Sequence, residues 1–181
     1  SCFPKDTLAV MRMGEAVGYA CQLNQAVHEV NQAQRSRFWD KIVKHFGGPS
    51  HMRGKQLAFW GISFKPETDD IREAPSVALM QMALEAGAAV QAYDPASMSH
   101  LNTQMPAVKT VDSGRAYDAL DGCDALIVCT EWSEFRHPDF EEIGRRLKHK
   151  TIFDGRNIYR RQTLHDLGFT YYCVGRPPVL Q

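Results

Sequence analysis

The feature that most constrains this chain is an alternation, from residue 57 to residue 174, of short apolar runs with helix-patterned stretches. Leu57–Ile62, Ala88–Tyr93, Val108–Val111, Ala125–Cys129, Thr151–Phe153 and Thr170–Val174 read as strands. Between them Pro75–Ala86, Ala116–Leu120, Phe140–Leu147 and Arg161–Leu167 read as helices, the first opened by proline and closed at Gly87. Strands alternating with helices imply a parallel sheet with right-handed crossovers, hence a doubly wound α/β domain. Ligands of such sheets lie at the carboxyl ends of the strands. That geometry places Gly61–Lys65, Asp94-Pro95, Thr130-Glu131 and Asp154–Arg156 on one functional edge.

Ahead of this region the pattern is helical from residue 4 to about 46. Leu8, Met11, Val17, Ala20 and Cys21 recur at roughly helical spacing, and Val27, Val30, Phe38, Ile42, Val43 and Phe46 do so again. Gly14 and Gly18 each lower helix propensity by about 1 kcal/mol relative to Ala, or let another helix approach. Two helices or one bent helix are expected, with the break in the polar Gln22–Gln25 region. Asn31-Gln32-Ala33-Gln34-Arg35 reads as a solvated polar face, and Gly47-Gly48-Pro49-Ser50 as a linker.

Composition excludes several classes of function. Over 181 residues, Lys+Arg and Asp+Glu both number 21, which argues against a nucleic-acid partner. No apolar run approaches the roughly 20 residues needed to cross a bilayer, and no signal peptide precedes Ser1. The five cysteines are scattered, without a C-x-x-C pair, and the seven histidines show no metal spacing. A reducing cytoplasm fits this pattern better than a disulfide framework or a zinc site. A chain of this length, 44% hydrophobic, can bury a substantial core in one or two domains.

The opening residues Ser1-Cys2-Phe3-Pro4-Lys5-Asp6 carry chemistry. Pro4 suits the first turn of a helix, which would put Cys2 just ahead of that helix, in the positive end of its dipole. That field and the neighbouring Lys5 both favour the thiolate, the nucleophilic form of cysteine. Asp6 on the first turn could act on a water or orient a partner. A small packed cysteine beside an ordinary helix start satisfies the same spacing.

A second stretch, residues 59–75, reads Phe59-Trp60-Gly61-Ile62-Ser63-Phe64-Lys65-Pro66-Glu67-Thr68-Asp69-Asp70-Ile71-Arg72-Glu73-Ala74-Pro75. Together with the opening residues it resembles the UDP-glucose/GDP-mannose dehydrogenase family. Further matches are Ala92-Tyr93-Asp94-Pro95, Thr130-Glu131-Trp132, Glu134-Phe135-Arg136, Phe153-Asp154-Gly155-Arg156-Asn157 and Gly168-Phe169, so the resemblance covers essentially the whole chain. No Gly-x-Gly-x-x-Gly occurs. The chain therefore resembles the carboxyl-terminal half of a longer dehydrogenase, beginning at its catalytic cysteine. The architecture implied is a central helical linker and dimerisation segment, residues 1–48, followed by a Rossmann-like UDP-sugar-binding domain, residues 49–181. An N-terminal NAD-binding domain would be absent from this chain, and a homodimer would form through the central helix.

The reaction that the resemblance implies is the oxidation of UDP-glucose to UDP-glucuronate, with two hydride transfers to NAD, in polysaccharide precursor synthesis. Cys2 would capture the aldehyde-level intermediate as a thiohemiacetal and carry the resulting thioester until water hydrolyses it. Asp6 would assist proton transfer or activate that water, and Lys5 would contact NAD. Arg72 would reach NAD bound to the other domain. Phe3, Phe64, Lys65 and Arg156 would contact the sugar nucleotide. The residues alone leave blander roles open. Lys65 can be a solvated loop lysine, and Arg72 can pair with the acidic residues around it. Asp94 can meet a ribose or cap a helix before Ala96. Trp60 and Trp132 can stack on a base or pack as core and rim, whereas Cys21, Cys123, Cys129 and Cys173 sit in apolar patterns. GDP-mannose or a UDP-N-acetyl sugar is an alternative substrate within the family. A non-catalytic sugar-nucleotide-binding and dimerisation module is the alternative of another class, and the chain by itself is expected to be inactive.

Overall fold

The computed structural model describes residues 2–181, with side chains from residue 4 onward. It opens with a helical hairpin, α1 (Cys2–Ala16) and α2 (Gln22–His45). Helix α1 starts at Cys2 rather than at Pro4, so Cys2 lies within the first turn instead of ahead of it. Asp6 falls past that turn. Proline remains tolerated there because the first backbone N–H groups of a helix have no partner within it. The break comes at residues 17–21, just ahead of the expected Gln22–Gln25, because Gly18 ends the helix at φ 70°. Gly18 N–H donates to Glu15 O at 3.1 Å and Tyr19 N–H to Gly14 O at 2.9 Å, closing the last turn. Gly14 admits this turn and not another helix: a β-carbon there would lie 2.6 Å from Tyr19 O.

Helix α2 docks its carboxyl-terminal half on the α/β domain. Phe38 and Ile42, four residues apart on one face, are buried. Lys41 Nζ donates to Cys173 O at 2.6 Å, and the His45 ring meets Phe153 and Tyr172 edge-on. The Gly47–Ser50 linker runs into a 3₁₀ turn, Pro49–His51.

The domain is one six-stranded parallel sheet: β1 (Gln56–Trp60), β2 (Ala89–Tyr93), β3 (Lys109–Thr110), β4 (Ala125–Val128), β5 (Thr151–Asp154) and β6 (Thr170–Cys173). The spatial order is β3-β2-β1-β4-β5-β6. All six expected strands are present, each within two residues of its expected bounds. Helices α3 (Pro75–Glu85), α4 (Met98–Gln104), α5 (Ser133–Arg136), α6 (Phe140–Arg146) and α7 (Arg161–Asp166) connect them. The short α4 and α5 were not anticipated. Residues 116–120 form a 3₁₀ helix instead of an α-helix. Asp118 N–H bonds back three residues to Arg115 O at 3.0 Å and Asp121 N–H to Asp118 O at 3.3 Å, the pattern of a short 3₁₀ connector.

Strand alternation divides the core into two layers. Leu57, Phe59 and Ile127 face Phe38, Ile42, Leu79 and Met80. Ala58, Trp60, Leu126 and Val128 face Phe135, Ile143, Leu164 and Phe169 on the other side. Because β1 from Leu57 and all of β4 are buried on both faces, Leu57–Trp60 and Ala125–Val128 are apolar throughout. The outer edge at β6 is covered by the tail, where Tyr171 and Val179 exchange backbone hydrogen bonds at 2.8 and 2.9 Å.

Candidate functional site

Sheet order reverses between β1 and β4, so the chain leaves these neighbouring strands in opposite directions and opens a crevice beyond their carboxyl ends. At its base the two loops touch. Gly61 has φ 84°, and a β-carbon there would sit 2.6 Å from Thr130 N and 2.5 Å from Thr130 Cβ. Thr130 Oγ1 donates to Ser63 O, and Ser76 Oγ donates to Ile62 O.

Asp94, following β2, is fully buried. Its Oδ2 accepts from Ile62 N at 2.7 Å, Ser63 N at 3.1 Å, Ser63 Oγ and Trp132 Nε1. Its Oδ1 accepts from Ala96 N at 2.9 Å and Ser97 N at 3.0 Å. With six donors on two oxygens, this carboxylate closes the turn ahead of α4, whose N-cap is Ser97, and holds the β1 loop; it neither caps a helix nor is left to meet a ribose. Burial pushes its pKa up, but the backbone N–H groups of Ile62, Ala96, Ser63 and Ser97 outweigh burial and hold it below the usual carboxylate value. Asp154 is used in the same way after β5, accepting from Arg156 N, Ile158 N, Tyr159 N and the Tyr171 hydroxyl.

Arg156 spans the crevice. Its Nη2 donates to Phe64 O at 2.7 Å, and its Nε donates to Cys129 O at 2.8 Å and lies 3.0 Å from Glu131 Oε2. One guanidinium thus joins the loops after β1, β4 and β5. Above it lies a cavity of about 390 Å³. It is lined by Phe64, Cys129 and Arg156 of the loops at the sheet edge, by Asn31, Gln34 and Arg35 of α2, and by Pro4 of α1. The first turn of α1 is therefore brought to the same cavity as Phe64 and Arg156.

Other expected site residues lie apart from that cavity. Lys65 is exposed, with Nζ 5.3 Å from the centre of the Phe64 ring. Arg72 projects into solvent beside a separate depression that also contains Ser99 and His100. There it is gripped by Asp70, Nε to Oδ1 at 2.9 Å and Nη2 to Oδ2 at 2.8 Å. These bonds hold the Asp70 carboxyl far below the ordinary range. Lys5 and Asp6 are exposed on α1. The expectations for Cys2 and Phe3 concern side chains outside the described residues.

Trp60 is core, stacked on Phe135 with Nε1 bonded to Ala116 O, and Trp132 serves Asp94. Cys123, Cys129 and Cys173 are buried, and Cys21 is half-buried. Burial pushes Cys123 up to about 11 and Cys129 up to about 12. Among the described residues, no cluster of His, Cys, Asp and Glu is suited to a metal ion, and no helix is long and apolar enough to cross a membrane.

Arg35 and Glu73 are the site residues that sequence reasoning missed; Glu131, expected on the functional edge, does lie against Arg156 there. Asn31-x-x-Gln34-Arg35 is not simply a solvated face, because Arg35 is only 15% exposed and faces the cavity. The available signal was helical spacing: positions 31, 34, 35, 38 and 42 share one stripe, which continues into buried Phe38 and Ile42.

Strand order and a cavity at the switch point place the chain among the doubly wound, Rossmann-like α/β domains. Within that class, a sequence profile of the UDP-glucose/GDP-mannose dehydrogenase family, UDP binding domain, matches residues 58–161, and the chain belongs to this family. It is 38% identical over 181 residues to the UDP-glucose 6-dehydrogenase of Pseudomonas aeruginosa, covering 98% of this chain and 40% of that protein. It is 36% identical over 178 residues to the Rhizobium meliloti UDP-glucose 6-dehydrogenase, again covering 98% and 40%. The chain thus spans about 40% of the length of these curated relatives. Its fold superposes on a UDP-glucose dehydrogenase from Pyrobaculum islandicum with a TM-score of 0.74 at 32% identity, covering 87% of this chain and 34% of that one. It also superposes on an NDP-N-acetyl-D-galactosaminuronic acid dehydrogenase from Methanosarcina mazei with a TM-score of 0.78. At 24% identity, with 97% and 38% coverage, that second likeness speaks for the fold alone.

Proposed function

We propose that this chain is the carboxyl-terminal part of an NAD-dependent UDP-glucose 6-dehydrogenase, and that its cavity receives the uridine nucleotide of the substrate. The observation that carries this reading is convergence: Phe64 and Arg156 on the sheet edge share one cavity with Pro4, two residues from Cys2. A nucleotide seated there has an aromatic ring and a guanidinium edge for its base and phosphates, with its sugar directed toward the first turn of α1. Lys65, exposed next to Phe64 in the chain, would add an ammonium to the phosphates.

In this reading residues 1–48 form the central helical segment and residues 49–181 the UDP-binding domain. Val10, Met13, Val17, Leu23, Val27 and Val30 are exposed on the hairpin and favour its use as a homodimer face. Cys2 is the nucleophile: its thiolate adds to the aldehyde carbon to form a thiohemiacetal, holds the acyl group as a thioester once the second hydride has been lost to NAD, and leaves when water attacks. Asp6 directs the proton or the water in that last step, and Asp6 lies one helical turn from Cys2 on α1. NAD, as the hydride acceptor, belongs with residues outside this chain. The domain itself is poorly suited to a dinucleotide, since the acidic residue after β2, Asp94, has both oxygens filled by protein donors. Lys5 and Arg72 are the residues of this chain proposed to touch NAD. The isolated chain binds without turning over.

Parallel calorimetric titration of the chain with UDP, GDP and NAD tests the reading. UDP should bind at micromolar to low millimolar concentration, with GDP and NAD much weaker. Preference for GDP would move the substrate to a GDP-sugar, and preference for NAD would overturn the domain assignment. In the full-length enzyme, Cys2→Ser should stop turnover while sugar-nucleotide binding remains; full activity would remove Cys2 from the mechanism.

A further inference from the structure

Glu73 has φ 55°, a left-handed conformation that residues with a β-carbon seldom adopt. It turns the chain between buried Ile71 and buried Ala74, and Ala74 N–H donates to Ile71 O at 3.1 Å to close the turn. Pro75, the first residue of α3, follows at once. The other end of this loop is tied where Phe64 N–H donates to Asp70 O at 3.1 Å. From α2, Arg35 Nη2 donates to the Glu73 carbonyl at 2.9 Å and lies 3.6 Å from the Glu73 carboxylate. The Glu73 side chain is 64% exposed, so the backbone bond is the stronger restraint. Arg35 and Glu73 together stand on the partition between the cavity and a second hollow lined by Ile71, Val77 and Gln104.

We propose that Arg35 is a positioning residue for nucleotide binding: its bond to the Glu73 carbonyl keeps residues 64–74 in the shape that presents Phe64 to the cavity. The inference rests on the reading of that cavity as the uridine nucleotide site. Arg35 bonds the loop and not the ligand. Without its guanidinium the Glu73 carbonyl turns toward water, Glu73 relaxes to negative φ, and the wall between Phe64 and Pro75 shifts with it.

The test compares this chain with its Arg35→Met, Arg35→Lys, Glu73→Gly and Arg35→Met/Glu73→Gly variants. Amide exchange at Ala74 and Phe64 is read without ligand, and UDP affinity is read by calorimetry. Arg35→Met should lose about tenfold in Ala74 protection and about tenfold in affinity, the scale of one strained residue released. Arg35→Lys, which keeps one donor, should fall between. Glycine adopts positive φ without a β-carbon clash, so Glu73→Gly in the Arg35→Met background should restore both quantities to within about threefold. Unchanged exchange and affinity in Arg35→Met would overturn the proposal. Lost affinity with unchanged exchange, or without rescue by glycine, would overturn it in favour of direct ligand contact. Wild-type chain that binds no UDP would sink the reading of the cavity, whereas the exchange measurements would still decide the restraint by Arg35.

Discussion

Arg156 and Phe64 are 92 residues apart, yet the arginine Nη2 donates to the Phe64 carbonyl at 2.7 Å, and both residues line the cavity. The same guanidinium also serves Cys129 O and Glu131, so its loss leaves two carbonyls and a carboxylate without their partner. Arg156→Met should lower unfolding free energy by about 2–4 kcal/mol. Arg156→Lys, a single point charge in place of a fork, should recover less than half of that. Urea unfolding measures both, and an unchanged midpoint would refute the bridging role.

Gly61 leaves space for Thr130 that no other residue leaves. Gly61→Ala adds the strain of a β-carbon at φ 84° to a contact of 2.6 Å with Thr130 backbone nitrogen. The combined cost should be about 3 kcal/mol or more, read as a drop in thermal midpoint together with weakened UDP binding. A neutral substitution would mean that the β1 and β4 loops do not touch in solution.

Asp94 gives stability a defined pH dependence. Its folded pKa lies below the unfolded value of about 3.9, because the backbone bonds prevail over burial. The contribution is therefore full above about pH 4 and is lost as pH falls through the folded pKa. Asp94→Asn puts an NH₂ group among N–H donors and should cost about 2–3 kcal/mol at pH 7. Denaturant unfolding of the variant between pH 3 and pH 7 should show a smaller loss of stability toward acid than the wild type; an equal loss would assign the acid sensitivity elsewhere.

The thiols should divide by burial. Cys123 and Cys129, pushed up to about 11 and about 12, stay protonated at pH 8 and should resist an aromatic disulfide reagent until the chain unfolds. Half-buried Cys21 should react in the native state. On the proposed function, Cys2 should react fastest of all. Peptide mapping after brief labelling decides it, and slow labelling of Cys2 would count against an activated thiolate.

Arg72 should be silent in the isolated chain. It is exposed and bound to Asp70 alone among the described residues. Arg72→Ala should leave the unfolding midpoint and UDP affinity unchanged, while raising KM for NAD in the full-length enzyme. An unchanged KM would withdraw Arg72 from the cofactor.

The alternation of apolar runs with helices determined the strand count, the parallel topology and the functional edge, because burying a strand on both faces demands local apolarity that is visible in the residues themselves. Leu57–Trp60 and Ala125–Val128 carry that demand openly. Motif wording singled out Phe64 and Arg156, and tertiary structure brings both to one cavity. What tertiary structure alone decided is who bonds whom. Asp94 and Arg72 are both charged residues in loops beside the edge, yet the first is consumed by six protein donors and the second stands in solvent. Arg35 looked like part of a solvated helix face until α2 docked through Phe38 and Ile42 and carried it to Glu73. The physical reason is range: burial and helical or strand periodicity act between neighbours and leave a pattern in the chain. A hydrogen bond between side chain and backbone across 38 or 92 residues leaves none.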